Sequence, residues 1–111
     1  MSRKRAERFD HSAPVFAALG DATRLALIAH LCNAGPSSIA ALTLATAITR
    51  HAVTKHLEVL AAVGLVSDLR SGRERVWQIE PAPLEDARRS LDRISQQWDA
   101  ALDRLQALVE D

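Results

Sequence analysis

The chain has 111 residues, of which 48% are hydrophobic and 25% are charged, so its length and composition are those of one domain that buries its own core. Its single cysteine, Cys32, excludes an internal disulfide framework and a four-cysteine zinc site, and no apolar run reaches the roughly 18 residues that a membrane-spanning helix needs. The 14 basic and 14 acidic residues give a net charge of zero. Because a single cysteine favours a reducing compartment and no apolar run is long enough to span a membrane, we expect a cytoplasmic protein with no membrane partner.

The zero net charge conceals a separation of charge along the chain. Residues 1–83 carry 10 basic and 7 acidic residues, a balance of +3, whereas residues 84–111 carry 4 and 7, a balance of −3. All four histidines also lie in the first segment. The neutral sum therefore does not exclude a nucleic-acid partner, because the basic and acidic segments can face different ways.

The start of the chain predicts a basic arm followed by two helices. Four of the first eight residues are basic, so residues 1–11 are expected to form a flexible arm ahead of a single domain at 12–111. One helix starts after Ser12, and Asp21 is the expected cap of the next. Cys32 falls on the apolar stripe of that second helix, which predicts a buried, unreactive thiol.

Residues 38–63 predict two helices joined by a break around Ala47. Ser38 opens the first helix, and Thr49 is the N-cap candidate of the second, because its side-chain oxygen can accept a hydrogen bond from a first-turn amide. A positive φ at Ala47 would cost on the order of 1 kcal/mol. Steps of three and four residues place two sets of side chains on different faces of the second helix. The apolar set is Val53, Leu57, Leu60 and Ala61, and the other set, which we call the polar front, is Arg50, His51, Thr54, Lys55 and Glu58.

Residues 65–80 predict a β-hairpin, which we call the wing, with a two-residue turn at Ser71-Gly72. The register that follows pairs Val66 with Trp77 and Asp68 with Arg75. One pair is apolar and the other joins opposite charges, so both favour this register. Arginine is concentrated at the tip, at positions 70, 73 and 75.

Residues 84–109 predict one long helix with the clearest periodicity in the chain. Apolar residues recur at alternating steps of three and four, which is a heptad seam about 39 Å long at 1.5 Å per residue. Such a helix is longer than the body of a domain this small, so we expect part of the seam to contact another subunit. The seam consists of Leu84, Ala87, Leu91, Ile94, Trp98, Ala101, Leu105 and Leu108.

The sequence offers no catalytic residue, no metal-ligand set and no cofactor motif. Its four glycines cannot form a dinucleotide fingerprint or a phosphate-binding loop. His30 and Cys32 point in different directions around a helix, as do His51 and His56, so neither pair converges on one ion. We therefore predict that the chain is not an enzyme and has no metal or cofactor.

The polar front, its Thr49 cap and the arginine-rich wing together predict DNA binding. In a helix-turn-helix the second helix enters the major groove, where a cationic face reaches base edges and phosphates. Taken alone, Arg50 and Lys55 are equally typical of a solvated surface helix. Their combination with the N-cap and the wing is what favours nucleic acid.

Three stretches of the chain carry a resemblance. They are Ala17-Ala-Leu-Gly-Asp-Ala-Thr-Arg-Leu-Ala-Leu-Ile, then Thr49-Arg-His-Ala-Val-Thr-Lys-His-Leu-Glu-Val-Leu with Ala61-Ala-Val-Gly-Leu-Val, and Arg70-Ser-Gly-Arg-Glu-Arg-Val-Trp. In this order they resemble the ArsR (arsenic-repressor type) family of bacterial winged-helix regulators, over residues 13–108. The pairing of Val-Thr-Lys-His-Leu with Gly-Leu-Val is the most specific part of the match.

The resemblance implies a mostly α fold with a small β-hairpin wing, a winged helix-turn-helix that is dimeric through its first and last helices. It implies a homodimeric, sequence-specific DNA-binding transcriptional regulator, usually a repressor, that a small signal releases from a palindromic operator near its own promoter. The dimer-interface residues are then Phe16, Leu91, Ile94, Trp98, Ala101, Leu105 and Leu108.

Carried over by position, the family's roles assign the DNA-binding residues. They are Thr49, Arg50, His51, Thr54, Lys55, His56 and Arg73. Arg73 would contact the minor groove or the backbone from the wing. For His56 two interpretations stay open, a phosphate contact or a packed, hydrogen-bonded residue at the edge of the helix.

The chain departs from the metal-sensing members of that family. Those typically carry a Cys-x-Cys pair or paired Asp and His ligands on the last helix, whereas this chain has one cysteine and no histidine after residue 83. It therefore resembles a branch without a recognised metal site, with an unknown effector. Two alternatives remain, a winged-helix module that binds a partner protein without DNA, and a metal- or redox-responsive repressor that uses Cys32 or inter-subunit histidines.

Overall fold

The computed structural model describes the backbone of residues 3–110 and the side chains of residues 11–110. The chain is mostly helical with one small antiparallel sheet, as the sequence predicts. Its elements in chain order are α1 (Arg3–Leu19), α2 (Ala22–Ala34), β1 (Ser37–Ser38), α3 (Ile39–Thr46), α4 (Arg50–Ala62), β2 (Val66–Ser71), β3 (Glu74–Ile79) and α5 (Pro81–Glu110).

The core lies where α2, α3 and α4 meet the sheet. Apolar side chains recur at helical spacing along these helices, so each turns one stripe inward. Trp77 of β3 closes the core from the sheet side and is 4% exposed. The fully buried side chains are Leu27, Leu42, Val53, Leu57, Leu60 and Leu65. Burial of each leucine contributes about 1.5 to 3 kcal/mol.

Side-chain caps fix the starts of the three core helices. The Asp21 carboxylate accepts a hydrogen bond from the backbone N–H of Arg24 at 3.0 Å. The hydroxyl oxygens of Ser38 and Thr49 accept from the amides three residues further on, at 3.2 and 3.1 Å. Each cap satisfies an amide that has no partner within its helix, and the caps predicted at Asp21 and Thr49 are confirmed.

The first helix begins earlier than the sequence predicts. α1 starts at Arg3, so the expectation of a flexible arm is wrong for residues 3–11, which are helical. Two features account for this. Arg, Lys, Ala and Glu in that stretch all favour helix, and α1 packs along α5, where the buried hydroxyls of Ser12 and Ser90 lie 2.9 Å apart. Met1 and Ser2 of the expected arm lie outside the described residues.

The wing is a hairpin, but its predicted register is wrong by two residues. Val66 lies opposite Ile79, and Asp68 lies opposite Trp77. The turn is at residues 72 and 73 instead of 71 and 72, because Gly72 takes a φ of +65° and the residue after it does not take a positive φ. A positive φ at the first turn position alone is the pattern of a type II′ turn, which places glycine first.

A third strand that the sequence analysis missed completes the sheet. β1 pairs antiparallel with β3, and the strand order is β1-β3-β2. Two residues are too few to show the alternation by which strands are recognised. This strand matters for the site, because Ser38 both pairs with β3 and caps α3, which holds the start of α3 beside the wing.

α5 is the longest element, with 30 residues, and begins at Pro81, three residues before the predicted start. Pro81 and Pro83 lie in its first turn, where a missing N–H breaks no helical hydrogen bond. Ala87 and Ser90 are its buried residues. At about 1.5 Å per residue the helix is about 45 Å long, so its outer part extends beyond the core.

Within residues 11–110, no single helix is long and apolar enough to cross a membrane. The segments His11–Leu19 and Ala22–Ala34 pass such a test only when taken together, and a bend of 98° separates them. Leu27, Ile28 and Leu31 of the second segment are buried in the core.

Candidate nucleic-acid interface

A residue with a left-handed backbone conformation joins the two helices of the helix-turn-helix. Ala47 has a φ of +56° and a ψ of +30°, and its N–H donates to the Thr43 carbonyl at 3.0 Å. This conformation redirects the chain so that Thr49 can cap α4. Ala47 thus takes the positive φ that the sequence analysis raises for this position. Because alanine carries a Cβ, this conformation costs about 1 kcal/mol.

α4 separates its side chains as the spacing predicts. Val53, Leu57 and Leu60 are fully buried, whereas most of the polar front faces solvent. Thr54 is half-buried, and its hydroxyl donates to the carbonyl of Arg50 at 2.9 Å. The Thr54 oxygen keeps a free acceptor site, while the exposed guanidinium, imidazole and ammonium groups beside it supply donors.

Lys55 lies on the front in a weak ion pair. Its ammonium is 3.7 Å from the Glu58 carboxylate, and the two side chains are 63% and 58% exposed. Exposed pairs of this kind contribute about 0 to 1 kcal/mol, so a stronger anion can displace Glu58. The Lys55 ammonium is therefore available to bind a phosphate.

His56 points away from the polar front. It follows Val53 and precedes Leu57 on the inner side of α4, is half-buried, and its Nδ1 lies 3.3 Å from a guanidinium nitrogen of Arg24. The same Arg24 donates through Nε to the Ala18 carbonyl at 2.5 Å. The structure therefore connects His56 to the corner between α1 and α2 and does not bring it together with the other predicted DNA-binding residues.

Asp21 completes this corner. Its carboxylate lies 3.9 Å from the His56 Nδ1. The backbone hydrogen bond from Arg24 is the main reason that the pKa of Asp21 lies below its ordinary value, and the nearby charges of Arg24 and His56 lower it further against a partial loss of solvation. The Asp21 carboxylate is charged at neutral pH, and it caps the start of α2 beside His56 of α4.

The wing divides its arginines between two roles. Arg75 forms an ion pair with Asp68 at 2.5 Å, and its guanidinium lies 5.1 Å from the centre of the Trp77 ring. The predicted Asp68–Arg75 pair therefore exists as a diagonal pair in the corrected register. Arg73 is exposed in the turn itself, at the end of the wing. Arg75 is tied to the sheet, whereas Arg73 projects at the tip.

A groove brings together the two arginines that are predicted to contact DNA. Arg50 of α4 and Arg73 of the wing both line a cavity of about 320 Å³ at the start of α3. Ser38, Ile39 and Ala40 form the α3 side of this groove, and Arg75 and Glu74 complete it. The contribution of α3 is not predicted from the sequence, where the N-cap at Ser38 is the available signal. Because Asp68 pairs with Arg75, the remaining charges of the groove are those of Arg50, Arg73 and Glu74, so the groove is cationic.

Cys32 is exposed, so the prediction of a buried thiol is wrong. The buried stripe of α2 consists of Leu27, Ile28 and Leu31, and Cys32 lies about 100° beyond Leu31 at the end of the helix. His30 is half-buried. Within residues 11–110, no group of three or more His, Cys, Asp or Glu side chains is arranged to hold a metal ion.

Among the side chains of residues 11–110, none covers the outer seam of α5. Trp98 is 65% exposed and Leu105 is 58% exposed, and Leu91, Ile94, Ala101 and Leu108 are exposed as well. Leu102 and Val109, which lie beside the seam and were not part of the predicted heptad, widen this apolar face. Phe16 of α1 differs from these residues, because it is half-buried and packs against the core.

The known proteins to which this chain is similar are transcriptional regulators. The HTH-type transcriptional regulator Rv2034 of Mycobacterium tuberculosis is 37% identical over 93 residues, which are 84% of this chain and 83% of that protein. An ArsR-like transcriptional regulator from Rhodococcus sp. RHA1 matches with a TM-score of 0.73 and 34% identity, over 90% of this chain and 93% of that one. The chain matches no protein-family model.

A third similarity comes from Mycobacterium bovis. It is to the homodimeric winged helix-turn-helix DNA-binding domain of a possible ArsR-family regulator, with a TM-score of 0.64 and 26% identity over 94% of this chain and 93% of that one. The first two proteins are named as transcriptional regulators and the third as a possible one, which confirms the prediction that this chain is not an enzyme. By sequence and by fold, the chain belongs to the ArsR family of winged helix-turn-helix transcriptional regulators.

Proposed function

We propose that this regulator is a homodimeric repressor that binds a palindromic operator near its own promoter in the cytoplasm. The observation that carries the proposal is the exposed polar front of α4, beside which Arg50 and Arg73 open onto one cationic groove. The front enters the major groove of DNA and the wing lies along the adjacent backbone or minor groove. Bound in this way, the protein blocks access of polymerase to the promoter.

The dimer is formed through the first and last helices. Its support is the wide apolar face of α5, which no part of its own chain covers in residues 11–110. Two copies of α4 related by a twofold axis then read successive major-groove faces about 34 to 36 Å apart. The acidic end of the chain lies on the far side of the body, where phosphate repels it least.

The basic residues of the interface divide into positioning and reading roles. Lys55 and Arg73 contact phosphate, with Thr49 at the start of α4, and these contacts supply affinity without sequence information. Arg50 pairs bidentately with a guanine, and His51 or Thr54 refines the choice of base. Because the chain has no net charge, non-specific attraction is modest and the affinity depends on placed contacts doubled by the dimer.

The experiment is a salt-titrated binding assay on the DNA fragment upstream of the protein's own gene. Lys55→Ala should weaken binding to all sequences and reduce the salt slope by about 1 per lost phosphate contact, or about 2 per dimer. Arg88→Ala is the matched control, since it removes a cation from α5, where Arg88 pairs with Glu85 and Asp92. An unchanged slope for Lys55→Ala would contradict the phosphate assignment.

Arg50→Ala tests the reading role in the same assay. We expect a loss of about 1 to 3 kcal/mol on the operator and a smaller loss on unrelated DNA, so that sequence preference relaxes. Equal losses on both would make Arg50 a backbone contact. Absence of any salt-dependent preference for the upstream fragment in the unmodified protein would overturn the proposal in favour of a protein-interaction module.

A further inference from the structure

A cleft lies between α1, the end of α4 and the start of α5, on a different part of the molecule from the polar front. Its volume is about 600 Å³, which falls within the usual range of small-molecule sites. The apolar part of its wall is formed by Val15, Val63, Ala82 and Pro83. Ser12 and Ser90 also line it, and their hydroxyls satisfy each other across the two helices.

The polar rim of the cleft carries an excess of positive charge. Asp86 and Arg89 neutralise each other, with Oδ1 and a guanidinium nitrogen 3.1 Å apart. Arg93 lines the same cleft, and among the side chains of residues 11–110 it has neither an ion-pair nor a hydrogen-bond partner. His11 lies on the rim as well. A guanidinium beside an apolar wall matches a ligand that has a carboxylate on an apolar body.

We propose that this cleft is an effector site for a small organic carboxylate. Its carboxylate pairs with Arg93, and its apolar body packs against Val15, Val63 and Pro83. The binding site stands on the geometry of the cleft alone, whereas its effect on DNA rests on the function proposed above.

The rim of the cleft faces a different side of the molecule from the seam. In a helix that turns about 100° per residue, the mean direction of Asp86, Arg89 and Arg93 lies about 120° around α5 from that of the seam. On α1, His11 is about 140° from Phe16, whereas the buried Ser12 is about 40° from it. We expect a partner that covers the seam and Phe16 to leave the rim at Arg93 and His11 accessible to solvent.

The cleft is also connected to the helix that carries the polar front. Val63 is the C-cap residue of α4, and the following Gly64 lies against Pro83 of α5, where an added Cβ would be 3.7 Å from the proline ring. A ligand that fills the space beside Val63 contacts the end of α4 and the start of α5 together. It alters DNA affinity to the extent that it binds more tightly to one arrangement of these helices than to the other.

Benzoate and its uncharged analogue benzamide are suitable probes, measured by NMR on the full chain without DNA. Benzoate should shift the amide signals of Ser12, Val63 and Ser90 saturably at millimolar concentration, and benzamide should bind at least about tenfold more weakly. Arg93→Gln should reduce the benzoate affinity at least about tenfold, because it removes the charge. Arg104→Gln is the control, since it lies on the same side of α5 three turns further out and should have no effect.

Equal shifts with benzoate and benzamide, or equal affinity in Arg93→Gln and the unmodified protein, would overturn the site. The NMR spectrum of each variant reports its fold directly. In a second measurement, saturating benzoate should change the affinity for the upstream DNA fragment, and Arg93→Gln should abolish that change while keeping DNA binding. Ligand binding with no change in DNA affinity would overturn the effector role and leave the DNA-binding function in place.

Discussion

The body of the molecule and the outer part of α5 are both largely helical, but within residues 11–110 only the body buries side chains against its own chain. The body buries leucines from three helices against Trp77, whereas residues 91–110 bury no side chain. An isolated amphipathic helix of this length is only marginally stable in water. The difference indicates that the second copy of the chain, as we propose it, covers the apolar face of α5 and stabilises the helix itself.

Ion pairs along α5 do not remove this difference. Arg88 contacts Glu85 and Asp92, and Arg89 contacts Asp86, all on the exposed surface of the first half of the helix. The hydrogen bond from Arg88 lowers the pKa of Glu85 and raises that of Arg88. Such exposed pairs contribute little to stability, so they do not replace a buried apolar face.

The largest effect is expected from a charge placed in the seam. Trp98→Asp or Leu105→Asp would bury a carboxylate between two apolar helices, which is strongly unfavourable. Sedimentation at micromolar concentration should therefore show monomers. Gln96→Asp is the control, since it lies about 160° around α5 from Trp98 and should leave the dimer intact. A dimer that survives both seam substitutions would mean that the two copies meet through a surface other than the seam.

The next largest effect is expected in the body. Leu57→Ala removes a fully buried side chain and should lower the free energy of unfolding by about 2 to 5 kcal/mol in urea titrations at fixed chain concentration. Leu44→Ala makes the same chemical change at a side chain that is 86% exposed, and should alter it by less than about 0.5 kcal/mol. Similar losses in the two variants would contradict the assignment of the core.

How far these regions could be predicted depends on how local their determinants are. The N-caps at Asp21 and Thr49 and the two faces of α4 follow from residues within one or two helical turns, and the structure confirms them. The predicted register of the wing is wrong because the register depends on whether Gly72 is the first or the second residue of the turn. Either choice pairs compatible side chains across the two strands, so the sequence does not distinguish them.

Other features depend on contacts between distant segments. The exposure of Cys32 results from the rotation of α2 against the core, which the spacing of apolar residues along this helix does not specify. The start of α3 joins the cationic groove only because β1, a two-residue strand, pairs with β3. For His56 the sequence supports two interpretations, because its contact with Arg24 joins residues 32 positions apart.

The pH dependence of stability tests the contribution of the Asp21 charge against that of the rest of the body. Because the pKa of Asp21 is lowered in the folded chain, its contribution to stability is complete above its ordinary value of 3.8 and is lost as the pH falls through the lower folded value. Asp21→Asn keeps a capping oxygen without the charge. Between pH 6 and pH 3, the Tm of this variant should fall less than that of the unmodified protein. Parallel curves would contradict the role of the charge.

The smallest effect is expected at the turn between α3 and α4. Ala47→Gly removes the cost of a left-handed backbone at a residue with a Cβ, about 1 to 2 kcal/mol. Glycine also loses more conformational entropy on folding, which costs about 0.5 to 1 kcal/mol. The variant should therefore be more stable by about 0.5 kcal/mol. Ala45→Gly, within α3, should instead destabilise by about 1 kcal/mol. Urea titrations measure both, and a destabilising Ala47→Gly would contradict the strain assigned to the turn.

In the proposed function, the polar front of α4 binds DNA as a pair that α5 holds together. The most direct test is the salt-titrated affinity of Trp98→Asp, compared with the unmodified protein, for the fragment upstream of the gene. We predict that the monomeric variant binds more weakly and with about half the salt slope, because half of the phosphate contacts are lost. Equal affinity and equal slope for the two proteins would contradict the account.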